Sequence, residues 1–115
     1  MAPLQKYLTE NDEKRKFSVP AEWLRILPDF REGHEVMVKA VDGKGFYWEF
    51  NCVIRKRGRY RKPVFQSQGW LKFVNKKGLR VGDKIILYEG EDLFRGTKYR
   101  IRAQKCNREG LWVDV

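Results

Sequence analysis

Apolar and polar residues alternate most strongly in "HEVMVKAVDGKGFYWEFNCVIRK", residues 34–56. Val36, Val38 and Ala40 fall on one side, Asp42-Gly43 is a turn dipeptide, and Phe46, Trp48, Phe50, Cys52 and Ile54 again share a side, so a hairpin is expected. The opposite row of its second strand reads Tyr47, Glu49, Asn51, Val53 and Arg55. Upstream, "FSVPAEWLRILPDF" places Trp23, Leu24 and Leu27 at helical spacing between two prolines, which predicts a short helix over about 21–27. Downstream, "VFQSQGWLKFVNKKG" predicts a strand end and then a second short helix. Trp70, Phe73 and Val74 would line one face, Lys72 and Lys76 another, and Gly78 the left-handed cap. "DKIILYE" and "TKYRIRAQ" read as strands, the second alternating Thr97, Tyr99, Ile101 and Ala103 with Lys98, Arg100, Arg102 and Gln104. The tail "GLWVDV" supplies a last one. Many short strands, two short helices and no βαβ rhythm predict a mainly β, antiparallel, barrel-like fold.

A chain of 115 residues, 42% apolar and 14% aromatic, suits one folded domain spanning 1–115. Cys52 and Cys106 lie far apart beside a single histidine, so no zinc site is expected and both cysteines should be free thiols, Cys52 in the core. No apolar run reaches the length of a membrane helix and the first residues lack a secretory h-region, which predicts a soluble, intracellular protein.

Charge changes this picture. The net charge is +10, yet no carboxylate occurs between Glu49 and Asp83, where ten basic residues stand: Arg55, Lys56, Arg57, Arg59, Arg61, Lys62, Lys72, Lys76, Lys77 and Arg80. The remaining 15 basic and 15 acidic residues cancel, so the excess belongs to one segment, as expected of a polyanion-binding face. Its centre is "IRKRGRYRKP", residues 54–63, in which arginine offers bidentate pairing to phosphate or guanine, lysine offers point charge and Tyr60 could pack on sugar or base. A second cluster, Lys14, Arg15 and Lys16, precedes Phe17 in an expected connection between strands, and two such basic loops could act as jaws.

Catalysis finds little support. His34 is the only histidine, sits in "REGHEV" with no nucleophile elbow or reactive cysteine nearby, and is expected to be an exposed structural residue. "GKGF" lacks the spacing of a phosphate loop, and Asp42, Glu49 and Asp83 look like turn and surface acids. Three further readings stay open: a sequence-tolerant binder of single strands or RNA on a barrel face, a nuclease, and a basic run serving only nuclear import.

In order, "YLTENDEKRKFSVP", "GFYWEF", "SQGWLKFVNKKGLRVGDKIILY" and "TKYRIR" resemble the plant B3 DNA-binding domain of the auxin-response and abscisic-acid-insensitive transcription factors. The resemblance covers about residues 7–104, and its most specific element is Gly69, Trp70, Phe73, Val74, Leu79, Gly82 and Asp83. It implies a seven-stranded open pseudobarrel with two short helices, a nuclear location, double-stranded DNA as partner, no cofactor and no metal. Two loops would grip the major groove, an N-arm over 11–16 and a C-arm over 51–62. The family's pattern puts an arginine that approaches bases at Arg55. Phosphate contacts are assigned to Lys14, Lys16, Lys56, Arg57, Lys62 and Lys72, and base readout to Arg15, Asn51, Arg55, Arg59 and Arg61. Two departures stand out. Asn51 occupies a position where many members carry arginine and could pair with adenine N6 and N7, and Leu71 replaces a small polar residue that contacts phosphate.

Overall fold

The computed structural model describes residues 3–30, 34–54 and 62–115. Their elements run β1 (Leu4–Tyr7), α1 (Glu10–Lys14), β2 (Phe17–Ser18), a 3-10 turn (Ala21–Arg25), β3 (Glu35–Asp42), β4 (Tyr47–Val53), β5 (Val64–Phe65), α2 (Ser67–Lys77), β6 (Lys84–Asp92), β7 (Thr97–Cys106) and β8 (Trp112–Asp114). One sheet has the order β1-β6-β7-β3-β4-β5-β2, with β8 added on β7. Seven strands thus form the curled, open half-barrel, and the tail contributes an eighth short one. The curl brings the two ends of the path together: Lys6 in β1 donates to the main-chain carbonyl of Ser18 in β2.

All pairings are antiparallel except β3 with β7, where Ala40, Val41 and Asp42 run parallel to Tyr99, Arg100 and Ile101. Alternation within a strand carries no information about the direction of its neighbour, so the antiparallel expectation missed this pair. Alternation did place the core. Val38, Ala40, Phe50, Cys52, Tyr99, Ile101 and Ala103 are buried, and Phe17, Phe65, Trp70 and Phe73 close an aromatic cluster in which Phe50 stacks on Phe65 at 4.9 Å and Phe17 meets Trp70 at 4.4 Å.

Four expectations change. The helix expected over 21–27 is a short 3-10 helix of five residues, Ala21–Arg25, held in the seven-residue stretch between Pro20 and Pro28, although Trp23 and Leu27 are buried. Phe46 is 52% exposed rather than core: it precedes the first residue of β4, and the ammonium groups of Lys76 and Lys77 lie 5.4 and 5.8 Å from its ring. Asp42 is buried, not a surface acid. It accepts from Lys44 N, Phe46 N and Trp48 Nε1 at 2.8, 3.0 and 2.7 Å and pairs with Lys77 at 2.8 Å, which closes the β3–β4 turn onto the end of α2. His34 is half-buried, and its carbonyl accepts from Ile54 N at 2.9 Å.

Helix α2 ends as expected at Gly78, whose φ of 63° suits a residue without a side chain, and Leu79 N returns to Val74 O. Its other glycine has a different cause. A Cβ on Gly69 would run into the main-chain carbonyl of Glu49, so only glycine lets the first turn of α2 lie against β4.

Candidate nucleic-acid interface

The segment 11–16, expected as a loop, begins as helix α1. Thr9 accepts from Asp12 N at 3.3 Å while the Asp12 carboxylate accepts from Thr9 N at 2.9 Å, a reciprocal cap. Glu10, Asp12 and Glu13 in the first turn and Lys14 in the last suit the helix dipole. The signal for this helix, Thr9 followed three residues later by Asp12, was present in the sequence and was masked by the basic cluster beside it. Asp12 is fully buried and does more than cap. Its carboxylate also takes Ser18 N at 2.9 Å and Lys6 Nζ at 2.9 Å, and its carbonyl takes Trp70 Nε1 at 2.6 Å. The basic tip that follows is therefore mounted on both ends of the sheet path and on α2. Within the tip, Asn11 Nδ2 donates to the Lys16 carbonyl at 3.1 Å, and Arg15 and Lys16 are exposed with no ion-pair partner among the described residues.

Strand register brings this tip beside the second arm. Phe17 pairs with Phe65, which pairs with Cys52, and Ser18 with Val64, which pairs with Val53. Just past these pairs Gln66 N donates to Asn51 O at 2.9 Å, while Lys16 leads into Phe17 at the end of the neighbouring strand. Both ends of the stretch 55–61 leave from the same strands, β4 after Val53 and β5 before Val64. A cleft of about 560 Å³ opens here, lined by Met37, Tyr47, Glu49, Asn51, Gln68 and Lys72 among others. Asn51 Nδ2 donates to Gln66 Oε1 at 2.8 Å and to Glu35 Oε2 at 3.3 Å. Tyr47 donates to Glu49, and burial together with that carboxylate pushes the phenol up to about 12.

Over residues 4–104 the sequence matches the family model described as the B3 DNA binding domain. This chain belongs to that family. A B3 domain-containing protein of Oryza sativa subsp. japonica is 40% identical over 63 residues, which make up 55% of this chain but 11% of that protein, so the chain spans only a small part of its curated relative. Among solved structures, the Arabidopsis FUS3–DNA complex is similar at 29% identity and a TM-score of 0.72, covering 89% of this chain and 95% of that one. The Arabidopsis thaliana LEC2–DNA complex shares the fold at 20% identity and a TM-score of 0.72, with 89% and 92% covered.

In this B3 domain the most specific family element is scaffold. Gly69 sets the approach of α2 to β4, Trp70 holds Asp12, and Phe73, Val74 and Leu79 are buried. Gly82 N donates to Leu8 O, and Asp83 takes Lys105 Nζ at 2.6 Å. Leu71 is half-buried against the core, consistent with its apolar side chain.

Of the candidate contact residues, Lys14, Arg15, Lys16, Asn51, Lys62 and Lys72 are described, and Arg55, Lys56, Arg57, Arg59 and Arg61 lie outside the described residues. Lys62 and Lys72 are exposed, and Lys14 pairs with Glu10 at 3.0 Å. The charge tally along the sequence overstated the excess in space. Lys77 is neutralised by Asp42, and Arg80 reaches Glu13 at 3.3 Å, both acids coming from outside the carboxylate-free window. Glu35 and Gln66 were not foreseen beside Asn51. Gln66 precedes the second helix in the sequence with nothing to mark it, and only the strand pairing places it there.

Proposed function

We propose that this B3 domain binds duplex DNA through the N-arm over 11–16 and the C-arm over 51–62, lodged in the major groove, as the non-catalytic DNA-binding module of a nuclear plant transcription factor. The observation that supports this reading is the pairing of β2 with β5 and of β5 with β4, which makes the strand entered from the exposed Arg15 and Lys16 a neighbour of the strands that flank 55–61. Two basic segments that leave adjacent strand ends suit the approach to a groove about 12 Å wide from two sides. Lys14, Lys16, Lys56, Arg57, Lys62 and Lys72 serve phosphates, and Arg15, Asn51, Arg55, Arg59 and Arg61 serve base edges. The neighbours captured with DNA support the same partner.

A competition titration at near-physiological salt, with duplex DNA, single-stranded DNA and RNA, tests the reading. Duplex preference is expected, together with a short motif enriched from a random duplex pool. Preference for single strands or RNA would replace it with a stacking-platform binder.

A further inference from the structure

The amide nitrogen of Asn51 is fully committed. Nδ2 lies 2.8 Å from Gln66 Oε1 and 3.3 Å from Glu35 Oε2. Amide orientation follows from the partners, and an ionised carboxylate has no hydrogen to give, so nitrogen and not oxygen must face Glu35. An amide nitrogen carries two hydrogens and here meets two acceptors, while Oδ1 has no hydrogen-bond partner among the described residues. Both partners are anchored by the sheet. Glu35 stands opposite Val53 at the start of β3, and Gln66 N donates to the main-chain carbonyl of Asn51 at 2.9 Å.

Resting on the duplex-binding reading, we propose that Glu35 and Gln66 are positioning residues that occupy both amide hydrogens of Asn51 and leave Oδ1 as the group offered to DNA. Asn51 then selects an exocyclic amine, adenine N6 or cytosine N4. It does not make the bidentate adenine pair ordinarily open to asparagine, because that pair needs a free N–H for N7. The arrangement is specific to a chain with asparagine at this position, since an arginine there has no acceptor to present.

The test begins with selection of duplexes from a random pool by the wild type and by Asn51→Ala, which locates the position whose preference Asn51 carries. Duplexes are then made with the amine-bearing base of that position replaced by its analogue lacking the amine, purine or pyrimidin-2-one. The wild type should lose about tenfold in affinity on this replacement and Asn51→Ala nothing. Gln66→Ala combined with Glu35→Ala should shrink the loss to about twofold by letting the amide turn, and Gln66→Ala alone should shrink it less, because Glu35 still holds Nδ2. Gln66→Glu, which keeps an acceptor for Asn51, should retain the full ratio although its added charge weakens binding to every duplex. An unchanged ratio in the double variant, or a ratio lost equally in Gln66→Glu, would overturn the positioning role. So would a wild-type motif in which Asn51→Ala flattens no position, an outcome that leaves duplex reading intact. Failure of the wild type to enrich any duplex motif would instead strike the underlying reading.

Discussion

The indole N–H of Trp70 donates to the main-chain carbonyl of Asp12 at 2.6 Å, joining α2 to α1 across 58 residues of sequence. The Asp12 side chain meanwhile ties Lys6, Thr9 and Ser18. A residue of the N-arm is thus the meeting point of both sheet edges and the main helix. Asp12→Ala would leave Lys6 without its counter-charge and two main-chain donors without an acceptor, at a cost of about 3 kcal/mol. Urea unfolding should show the loss. DNA affinity should fall as well, because Arg15 and Lys16 lose their mount, and a variant with unaltered affinity would show that the arm needs no such support.

Gly69→Ala should destabilise the fold by roughly 1 to 3 kcal/mol, because the added methyl meets a main-chain carbonyl that cannot swing aside as a side chain would. The same substitution at an exposed helix interior would stabilise, alanine being the better helix former. A lowered urea midpoint is therefore expected, and a raised one would contradict the close approach of α2 to β4.

Asp42 gives the stability a pH dependence. Burial raises its carboxyl, but the donors Lys77, Trp48, Phe46 and Lys44 outweigh that and hold it below the ordinary 3.8. A folded-state value below the unfolded one adds stability that is complete above the unfolded value and disappears as pH falls through the folded value. Asp42→Asn should therefore melt at a lower temperature than the wild type near neutral pH, with a deficit that narrows as pH falls below about 4. A deficit constant across that range would contradict the shift.

Salt dependence should sort the N-arm lysines and arginine. Each phosphate contact contributes about 0.9 to the slope of log affinity on log salt. Lys16→Ala should reduce the slope by about one and Lys14→Ala by less, because Lys14 already has Glu10 as a partner, whereas Arg15→Ala, at a base edge, should cost affinity mainly on the preferred duplex. Titrations between about 50 and 200 mM salt resolve such differences. Wild-type slopes in both lysine variants would remove the N-arm from the phosphate contacts.

Thiol chemistry offers a check on the core. Burial pushes the Cys52 thiol up to about 12, whereas Cys106 is exposed at the end of β7. One thiol should react promptly with a disulfide reagent near neutral pH and the second only on unfolding. Two fast thiols would mean that β4 does not hold Cys52 in the core.

Much of the scaffold was legible because burial imposes a period on the sequence. Phe50 and Cys52, or Ile101 and Ala103, recur by twos since every second residue of a half-buried strand must be apolar. Phe46 keeps the same parity yet is exposed, because period says which way a side chain points and not how far the core extends beneath it. The N-arm was found by its charge but its helix was overlooked. Three basic residues in a row draw attention away from the Thr9 and Asp12 cap, whose exchange of hydrogen bonds depends on local geometry. Lys77 and Arg80 counted toward the basic excess until Asp42 and Glu13 were found beside them.

By itself the sequence determined the class of the fold, the faces of its strands and helix, and the one region with excess positive charge, all of which depend on residues near one another along the chain. Tertiary structure decided the rest. It set the parallel meeting of β3 with β7, the burial of Asp12 beneath Trp70, and the placing of Gln66 beside Asn51. These relations join residues from 15 to 59 positions apart. Coulomb attraction and hydrogen bonding act over a few ångströms of space, and no local pattern records which distant side chains the curl of the sheet will bring within that reach.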